Sequence, residues 1–402
     1  MKTTAESRSP ESGERDAKQP RSILISAGEP SGDFYAAELV DALKRRWPEC
    51  RFFGCAGPHL REKGVRPAIR TEDLAVVGIV EVVGHLPRIW RRYRELIAAA
   101  RAERPDLAIL TDSPDFHFRV ARRLKALGIP VAYLVAPQVW AWRKGRVKVM
   151  RRIIDRLLCI FPFEKEFFES HGVPVSFIGH PLANRVRPTL SREEFFRKHK
   201  LPADRPLIAI LPGSRRSEAL RHVPELRRAA EILSRERELS FLLPASPVCG
   251  AAFFEGPLAG SPIRAIDGEA WNAMAHCEVA LAASGTVTVE AALLGAPLVT
   301  FYRVTPLSWS IGKLMVDVPF YSMVNLIAGK KIAPELMQDE MTGERLAEEA
   351  GRLLDDAVFR GTMKEELSRV AGKLAGEGDA IGRAAREIEQ LFSVQMFEVK
   401  VQ

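Results

Sequence analysis

The sequence predicts an α/β protein with two Rossmann-like domains in tandem, which we expect to face a shared cleft. Short apolar runs alternate with segments of helical periodicity along most of the chain, a pattern typical of parallel sheets. A loop of small residues follows a predicted strand in each half. With 402 residues, 47% of them hydrophobic, the chain is long enough to form two cores.

The first half opens with a buried strand and a glycine-rich loop. The apolar run 22–27 predicts the strand, and Gly28 begins the loop that leads into an amphipathic helix. The loop lacks the GxGxxG pattern, so it does not indicate a dinucleotide site. Glu29 and Asp33 would repel a phosphate but could accept hydrogen bonds from sugar hydroxyl groups. Alternatively, Ser31 or Asp33 caps the helix.

Two carboxylates follow a later strand of the first half, predicted at 107–111. Chemistry in α/β folds is found at such strand ends. Asp115, between a proline and a phenylalanine, is the candidate general base for a hydroxyl nucleophile. Asp112 is its near rival, although its position favours a structural cap. Further strands are predicted in this half at 51–56, 131–135, 157–160 and 175–178.

Positive charge is concentrated in the first half of the chain. Residues 1–184 carry 31 Lys and Arg against 22 Asp and Glu, whereas the whole chain has a net charge of +8. This imbalance indicates an acidic partner, either an anionic membrane surface or a nucleic acid. In one basic segment, 86–97, Trp90 and Tyr93 lie among arginines, and an apolar loop precedes it at 74–83. The candidate membrane contacts are Arg88, Trp90, Arg91, Arg92 and Tyr93.

An amphipathic helix of this composition is typical of interfacial membrane binding, and a core-facing stripe with a solvated basic face is the alternative. A second basic segment, 140–152, leaves RNA or DNA open, although no usual nucleic-acid-binding motif is present. No apolar run reaches the ~18 residues of a membrane span. The five cysteines form no CxxC pair and are expected to be buried thiols of a cytoplasmic protein. Residues 1–20 are polar and predict a disordered leader.

The second half repeats the strand–loop–helix pattern twice. Strands are predicted at 207–211, 240–243, 263–266, 279–282 and 298–302, and helices at 341–392. Gly213, Ser214 and Arg215 follow the first of these strands as a phosphate-style loop, in which Arg215 could hold a diphosphate bidentately.

The loop that follows the strand 279–282 predicts an anion site, with an ordinary strand-to-helix turn of an α/β sheet as the alternative. Ser284, Gly285 and Thr286 form a turn of small residues before a helix that ends at Gly295. A helix N-terminus attracts phosphate, while Glu290, one turn further on, suits the hydroxyl groups of a ribose. No DxD motif or metal-ligand spacing occurs. We therefore expect Arg215 and helix N-termini, without a metal or cofactor, to neutralise a diphosphate.

Several strings of the sequence resemble those of the lipid-A-disaccharide synthase family, from Ser22 to the C-terminal helices. They are SAGEPSGD (26–33), GCAGPHL (54–60), VVGIVEVVGHLPRI (76–89), TDSPDF (111–116), APQVWAWR (136–143), FPFEKEF (161–167), FIGHPL (177–182), LPGSRRSE (211–218), ASGTVTVE (283–290) and VNLIAG (324–329).

The resemblance implies a glycosyltransferase of the GT-B fold, with an acceptor and membrane domain (21–184), a UDP-sugar domain (185–340) and C-terminal helices (341–402) that pack on an N-terminal domain. It implies an inverting reaction of UDP-2,3-bis(acyl)-glucosamine with 2,3-bis(acyl)-glucosamine 1-phosphate in lipid A biosynthesis, on the inner face of the bacterial inner membrane. A monomer and a homodimer both stay open.

The resemblance also implies roles for individual residues. Asp115 matches the base, Asn325 a polar residue near the donor, and Glu29 a residue of the acceptor half, where Ser31 and Asp33 are further candidates. The donor-binding candidates are Gly213, Ser214, Arg215, Ser284, Gly285, Thr286, Glu290 and Asn325. Two alternatives differ in function: a soluble UDP-N-acetylglucosamine 2-epimerase, which has no use for the basic aromatic helix, and a non-catalytic nucleic-acid-binding protein, which would not bind UDP.

Overall fold

A computed structural model describes residues 19–74 and 79–401, so most of the predicted leader lies outside the described residues. The chain forms two compact units. The first unit comprises the chain up to Leu134, the short segment Ile153–Arg156 and the chain from Ala385 onward. The second unit comprises Val135–Arg152 and Leu157–Ala384.

The strands and helices alternate as the sequence predicts. The strands are β1 (Ser22–Ala27), β2 (Arg51–Ala56), β3 (Arg66–Arg70), β4 (Leu107–Thr111), β5 (Val131–Leu134), β6 (Arg156–Cys159), β7 (Val175–Phe177), β8 (Leu207–Leu211), β9 (Ser240–Ala245), β10 (Ile263–Asp267), β11 (Val279–Ala283), β12 (Leu298–Tyr302) and β13 (Glu335–Met337). The helices are α1 (Pro30–Arg46), α2 (Pro58–Glu62), α3 (Ile79–Glu103), α4 (Pro114–Lys125), α5 (Val147–Ile153), α6 (Pro162–Ser170), α7 (Arg192–Lys198), α8 (Arg216–Glu236), α9 (Ala270–His276), α10 (Thr286–Leu294), α11 (Pro306–Met315), α12 (Met323–Ala328), α13 (Gly343–Asp355), α14 (Ala357–Ala375) and α15 (Ala380–Val401).

The sheet of the first unit is parallel, with the strand order β3-β2-β1-β4-β5. Strands β1 and β4 are buried along their whole length, as expected for apolar runs covered by helices on both faces. Their last residues, Ala27 and Thr111, are paired. This register places the loop that starts at Gly28 beside the loop that starts at Asp112.

The main sheet of the second unit is also parallel, with the order β10-β9-β8-β11-β12-β13. Leu211 at the end of β8 pairs with Ala282 in β11. The loops that follow these two central strands are therefore neighbours at the carboxyl edge of the sheet, where α/β proteins bind ligands. The prediction of an α/β protein with two Rossmann-like parallel sheets is confirmed.

The C-terminal helices belong to both units. Glu225, on α8, accepts a hydrogen bond from the backbone of Gly343 at the start of α13. In the first unit, the ring of Phe392 on α15 lies 5.7 Å from that of Trp47. Helix α15 also forms an ion pair, because Glu389 lies 2.6 Å from Arg46 at the end of α1.

The structure differs from the predicted elements in two respects. Strands β3 and β13 were not predicted, because their short sequences, RPAIR and ELM, do not form apolar runs. The segment 74–83 was predicted as an apolar loop, but from Ile79 onward it is part of helix α3, and residues 75–78 lie outside the described residues. The five cysteines are buried and free, as predicted. Among the described helices, none is long and apolar enough to cross a membrane.

Candidate functional site

The second unit contains a cavity of about 730 Å³ at the ends of β8, β9 and β11. Six of the predicted donor-binding residues line it: Gly213, Ser214, Ser284, Gly285, Thr286 and Glu290. Its size lies within the range of ~300–1,000 Å³ that is usual for small-molecule sites. Within the described residues, no group of three or more His, Cys, Asp or Glu side chains is arranged to hold a metal ion.

The N-terminus of α10 opens into this cavity. Gly285 is its N-cap residue and has no side chain that could cap the helix. A Cβ atom added at Gly285 would meet nothing within 4 Å, so protein atoms do not fill the space beside this residue. The Ser284 hydroxyl donates to the Tyr321 carbonyl at 2.7 Å, which fixes the turn. The first N–H groups and the helix dipole can therefore act on an anion in the cavity.

Glu290 lies one turn along α10 and lines the same cavity. Burial raises the pKa of Glu290, and a hydrogen bond from the side chain of Trp271 partly offsets this increase. Trp271, which sequence reasoning missed, also lines the cavity and thus holds the carboxyl group in one orientation. A half-buried carboxyl group in this position can accept hydrogen bonds from a ribose.

The loop after β8 does not offer its N–H groups in the same way. The Glu218 carboxylate accepts hydrogen bonds from the backbone of Ser214 at 3.2 Å and Arg215 at 3.4 Å. Gly213 has a φ of +114°, and a Cβ atom there would lie 2.5 Å from the Glu218 carboxyl carbon. The glycine is therefore needed for the loop to close around Glu218. Arg215 is the N-cap residue of α8, and its side chain is exposed outside the cavity lining.

Part of the cavity wall comes from the segment that the sequence indicated only as a connection. Arg187 and Thr189 line the cavity together with Asn272. The Asn272 side chain accepts a hydrogen bond from the backbone of Thr189 at 2.8 Å, which anchors the connection to α9. Arg187 adds a cation to the wall. Neither residue belongs to a local motif, so the sequence carried no signal for them.

Asn325 lies outside the lining of the cavity and is fully buried. Its Oδ1 accepts hydrogen bonds from the backbone of Ile332 at 2.8 Å and Ala333 at 3.0 Å. Its Nδ2 donates to the Ala333 carbonyl at 2.9 Å and to Glu335 at 2.8 Å. These bonds hold the turn between α12 and β13, and a direct contact of Asn325 with a donor remains a prediction.

In the first unit, the loop after β1 closes around a carboxylate in the same way as the loop after β8. Asp112 accepts hydrogen bonds from the backbone of Gly28 at 2.7 Å and Glu29 at 3.1 Å. A Cβ atom at Gly32 would lie 1.7 Å from the Asp112 carboxylate, so this glycine is required by the close approach. Burial raises the pKa of Asp112 to about 8, and the hydrogen bond from Gly28 opposes the increase.

The three acceptor-binding candidates lie in different surroundings. Asp33 is fully buried and accepts hydrogen bonds from the backbone of Gly57 at 2.7 Å and His59 at 2.8 Å. It thus caps α2, not its own helix. Glu29 is the N-cap residue of α1 by backbone geometry, and its side chain is exposed, as is that of Ser31. Only Glu29 and Ser31 are therefore open to a ligand.

The segment between β4 and α4 is strained. Asp112 and Ser113 both have positive φ values, 54° and 36°, although neither is glycine. Such residues cost about 1–3 kcal/mol each and concentrate at functional sites. The Asp112 carbonyl accepts hydrogen bonds from Tyr133 at 2.5 Å and from the His117 ring at 2.9 Å, which keeps the segment in place. Asp115 follows in the first turn of α4 with an exposed side chain.

His117 is a member of this network that sequence reasoning missed. It is fully buried, and its Nε2 lies 2.7 Å from the Ser26 hydroxyl. Since Nδ1 faces the carbonyl of Asp112, it must donate, and Nε2 must accept from Ser26. Burial lowers the pKa of His117 to about 4, so the ring is neutral.

The basic helix α3 carries an aromatic row that reaches the surface. Trp90 is 56% exposed, and its ring stacks on that of Tyr93 with centroids 5.0 Å apart. Tyr93 in turn lies 6.5 Å from Phe116, next to Asp115. Leu86 is 52% exposed, whereas Ile97, predicted on the same face, is buried. The helix thus exposes apolar side chains at Leu86 and Trp90 and lies in the core at Ile97.

Acidic neighbours neutralise part of the positive charge on α3. Asp73 forms ion pairs with Arg88 at 3.0 Å and Arg92 at 3.2 Å. Arg92 also pairs with Glu95, from which Arg91 lies 3.9 Å away. All three arginines are at least partly exposed.

Comparison with known proteins gives a family. The chain matches the model of the family described as lipid-A-disaccharide synthetase over residues 23–375. A lipid-A-disaccharide synthase of Solibacter usitatus is 60% identical over 377 residues, which cover 94% of this chain and 99% of that protein.

Solved structures of similar fold are more distant in sequence. A putative UDP-N-acetylglucosamine 2-epimerase of Listeria monocytogenes is 16% identical, with a TM-score of 0.64, and covers 93% of this chain and 97% of its own. The UDP-GlcNAc 2-epimerase of Neisseria meningitidis, solved with UDP-GlcNAc, is 13% identical, with a TM-score of 0.59, and covers 92% and 98%. At this identity the likeness shows the fold, which is shared by glycosyltransferases and epimerases, and not the reaction.

Proposed function

The chain belongs to the lipid-A-disaccharide synthase family, and from this premise we propose that it joins UDP-2,3-bis(acyl)-glucosamine to 2,3-bis(acyl)-glucosamine 1-phosphate. The products are the β-1,6-linked lipid A disaccharide 1-phosphate and UDP. The chain is 60% identical to a synthase along nearly the whole length of that protein, which favours this reaction. The epimerase alternative is supported only by the shared fold.

The single structural observation that carries the donor assignment is the open N-terminus of α10 beside Glu290 in one cavity. The diphosphate of UDP would accept hydrogen bonds from the first N–H groups of α10, beginning near Thr286. The ribose would donate hydroxyl hydrogen bonds to Glu290. The guanidinium groups of Arg187 and Arg215 would supply positive charge for the diphosphate, the former from the cavity wall and the latter from the start of α8.

We assign the general base to Asp115. The 6-hydroxyl oxygen of the acceptor attacks the anomeric carbon of the donor while the bond from that carbon to the UDP oxygen breaks. The hydroxyl proton passes to the Asp115 carboxylate, and UDP leaves with the electron pair. A single displacement inverts the α-linked donor to a β-linked product. The support is the exposed position of Asp115 after the strained residues Asp112 and Ser113.

The acyl chains of both substrates place the reaction at a membrane, and we propose the inner face of the bacterial inner membrane. The exposed residues Leu86 and Trp90, with the arginines of α3 around them, support contact with an anionic lipid surface. Light scattering would distinguish a monomer from a homodimer, both of which the sequence leaves open.

One assay tests the proposal. The protein is incubated with both acylated substrates, with and without EDTA, and the products are identified by mass spectrometry. We expect disaccharide 1-phosphate and UDP in equal amounts in both conditions. A parallel incubation with UDP-N-acetylglucosamine tests the epimerase alternative. Formation of the 2-epimer there, with no disaccharide from the acylated substrates, would contradict the proposal and favour that alternative. Salt-dependent binding of RNA with no affinity for UDP would favour the nucleic-acid alternative.

A further inference from the structure

Helix α11 of the second unit is exposed or half-exposed at every position whose side chain the structure describes. Its sequence, PLSWSIGKLM, is nevertheless mostly apolar. An isolated helix of ten residues is marginal in water, and packing of an apolar face normally stabilises such helices. The helix therefore has the composition of an element that is covered in use.

Several apolar side chains on α11 and in the chain just after it are exposed, and we call this group the α11 surface. Leu307 is 72% exposed, Met315 44%, Val316 36% and Tyr321 42%. The ring of Trp309 lies 5.6 Å from that of Tyr321, which links the helix to the chain that follows it. Exposed apolar side chains that lie together mark interaction sites.

Lys313 lies on α11, and the cations Lys144 and Arg143 lie beside the segment that follows it, where Asp317 neutralises Lys144. Lys313 lies 5.3 Å from the centre of the Trp309 ring. The segment after α11 is joined to the basic segment 140–152, because Asp317 donates its backbone N–H to the Ala141 carbonyl at 3.1 Å. The Lys144 ammonium lies 2.7 Å from the Asp317 carboxylate. Beside it, the Arg143 guanidinium lies 4.2 Å from the centre of the Trp142 ring, and its side chain is exposed.

We propose that the α11 surface is a lipid-binding surface, which inserts its apolar side chains into the interface of an anionic bilayer. Apolar and tryptophan side chains flanked by lysine and arginine have the chemistry of an interfacial helix. A second copy of the chain fits less well. A two-fold interface would set the same cations against each other, and like charges oppose such contacts. The inference rests on the proposed function, because that function brings the protein to a membrane, and it adds a contact in the second unit.

The test is flotation with phosphatidylglycerol vesicles. The variant carries L307S and M315S, and the control carries V358S, which changes an 80% exposed valine on α14. We expect the double variant to lower the vesicle partition coefficient about tenfold or more, because two exposed apolar groups no longer enter the interface, while V358S leaves it unchanged. UDP affinity and turnover in detergent micelles should be unaffected, which establishes that the variant is folded. Equal partitioning of the double variant and wild type would overturn the inference.

A charge variant tests the second feature of the surface. K313E should weaken partitioning at low salt and show less salt dependence, whereas K364E on α14 should behave as wild type. If the double variant instead dissociates a dimer without a change in vesicle binding, the surface is a contact between copies and the inference is wrong. If wild type itself does not bind vesicles, the proposed membrane location fails together with the inference, and the mass-spectrometric assay still decides the reaction.

Discussion

Two neighbouring loops of the second unit look alike in sequence and differ in what they can bind. The loop after β8 and the loop after β11 both consist of small residues before a helix, and the pairing of Leu211 with Ala282 sets them side by side. In the first, Glu218 takes the N–H groups of Ser214 and Arg215. In the second, the N-cap residue of α10 is Gly285, which has no side chain to cap the helix. Small residues at a helix N-terminus therefore make an anion site only where the chain does not supply its own carboxylate.

The first unit shows the same contrast among its aspartates. Asp112 closes the loop at Gly28, and Asp33 caps α2 through Gly57. Both carboxyl groups accept backbone hydrogen bonds away from the surface, whereas the side chain of Asp115 is exposed to solvent. Substitution of Asp112 or Asp33, whose carboxyl groups accept hydrogen bonds within the fold, should therefore lower stability. Substitution of the exposed Asp115 should affect binding or catalysis.

The largest effect is expected at the aspartates after β4. Asp115→Asn is nearly isosteric and removes the proposed base, so kcat should fall by about 10²–10⁴-fold with little change in UDP affinity. Steady-state kinetics with both acylated substrates measures it.

The matched variant is Asp112→Asn. An amide can accept at only one of the two positions where the carboxylate now accepts N–H groups, so the unfolding free energy should fall by about 1–3 kcal/mol. Near wild-type kcat in Asp115→Asn, together with inactivity of a folded Asp112→Asn, would reverse the assignment of the base.

The cations come next. Arg215→Ala should weaken UDP binding by about 1.5–3 kcal/mol in calorimetry, the range of hydrogen bonds to charged groups. The matched variant is Arg187→Ala, which removes a cation from the cavity wall. Its UDP affinity is compared with that of Arg215→Ala, which removes a cation from the start of α8. If Arg215→Ala left UDP affinity unchanged, a role of Arg215 in holding the diphosphate would be excluded. If only Arg187→Ala weakened UDP binding, Arg187 would be the residue that holds the diphosphate.

A pair of glycines separates the two loops directly. Gly213→Ala places a side chain at a φ of +114° and against Glu218, so it should lower the unfolding free energy by about 1–3 kcal/mol. Gly285→Ala meets no protein atom within 4 Å and should leave thermal stability nearly unchanged while it weakens UDP binding. The opposite pattern, with the larger stability loss in Gly285→Ala, would show that the α10 loop is closed in solution.

The smallest expected effect is the change in stability that buried His117 causes at low pH. The pKa of His117 is about 4 in the fold, below its ordinary value of 6.5, so the unfolded chain takes up the proton first as the pH falls. The contribution of His117 to stability is complete above its ordinary pKa and should decrease by about 1–2 kcal/mol between pH 7 and pH 5.

The contribution of Asp112 to stability increases as the pH falls, opposite to that of His117, because the pKa of Asp112 is raised in the fold. The His117 contribution is therefore measured as the difference between wild type and His117→Gln in denaturant titrations at each pH. A difference that does not vary with pH would mean that His117 is not neutral and buried in solution.

Sequence patterns predicted the strands of both sheets except β3 and β13, because the other strands are buried apolar runs. They predicted six of the cavity residues because loops after such strands meet at one edge. They could not predict that Glu218 fills one loop, since a capping carboxylate and a ligand-binding one look the same in a sequence. Nor could they predict Arg187 or Trp271. Both residues line the cavity because of the way the chain folds, and neither belongs to a motif that the sequence reveals. His117 was missed because its neighbours in the network, Ser26 and Tyr133, are distant in sequence.

The most direct test of the central claim is a structure of the protein with bound UDP. We predict the diphosphate oxygens within hydrogen-bond distance of the backbone N–H groups at Gly285 and Thr286, the ribose hydroxyl groups on Glu290, and Glu218 still bonded to Ser214. A diphosphate bound instead by the N–H groups of Ser214 and Arg215, with Glu218 displaced and the α10 N-terminus unoccupied, would contradict the account.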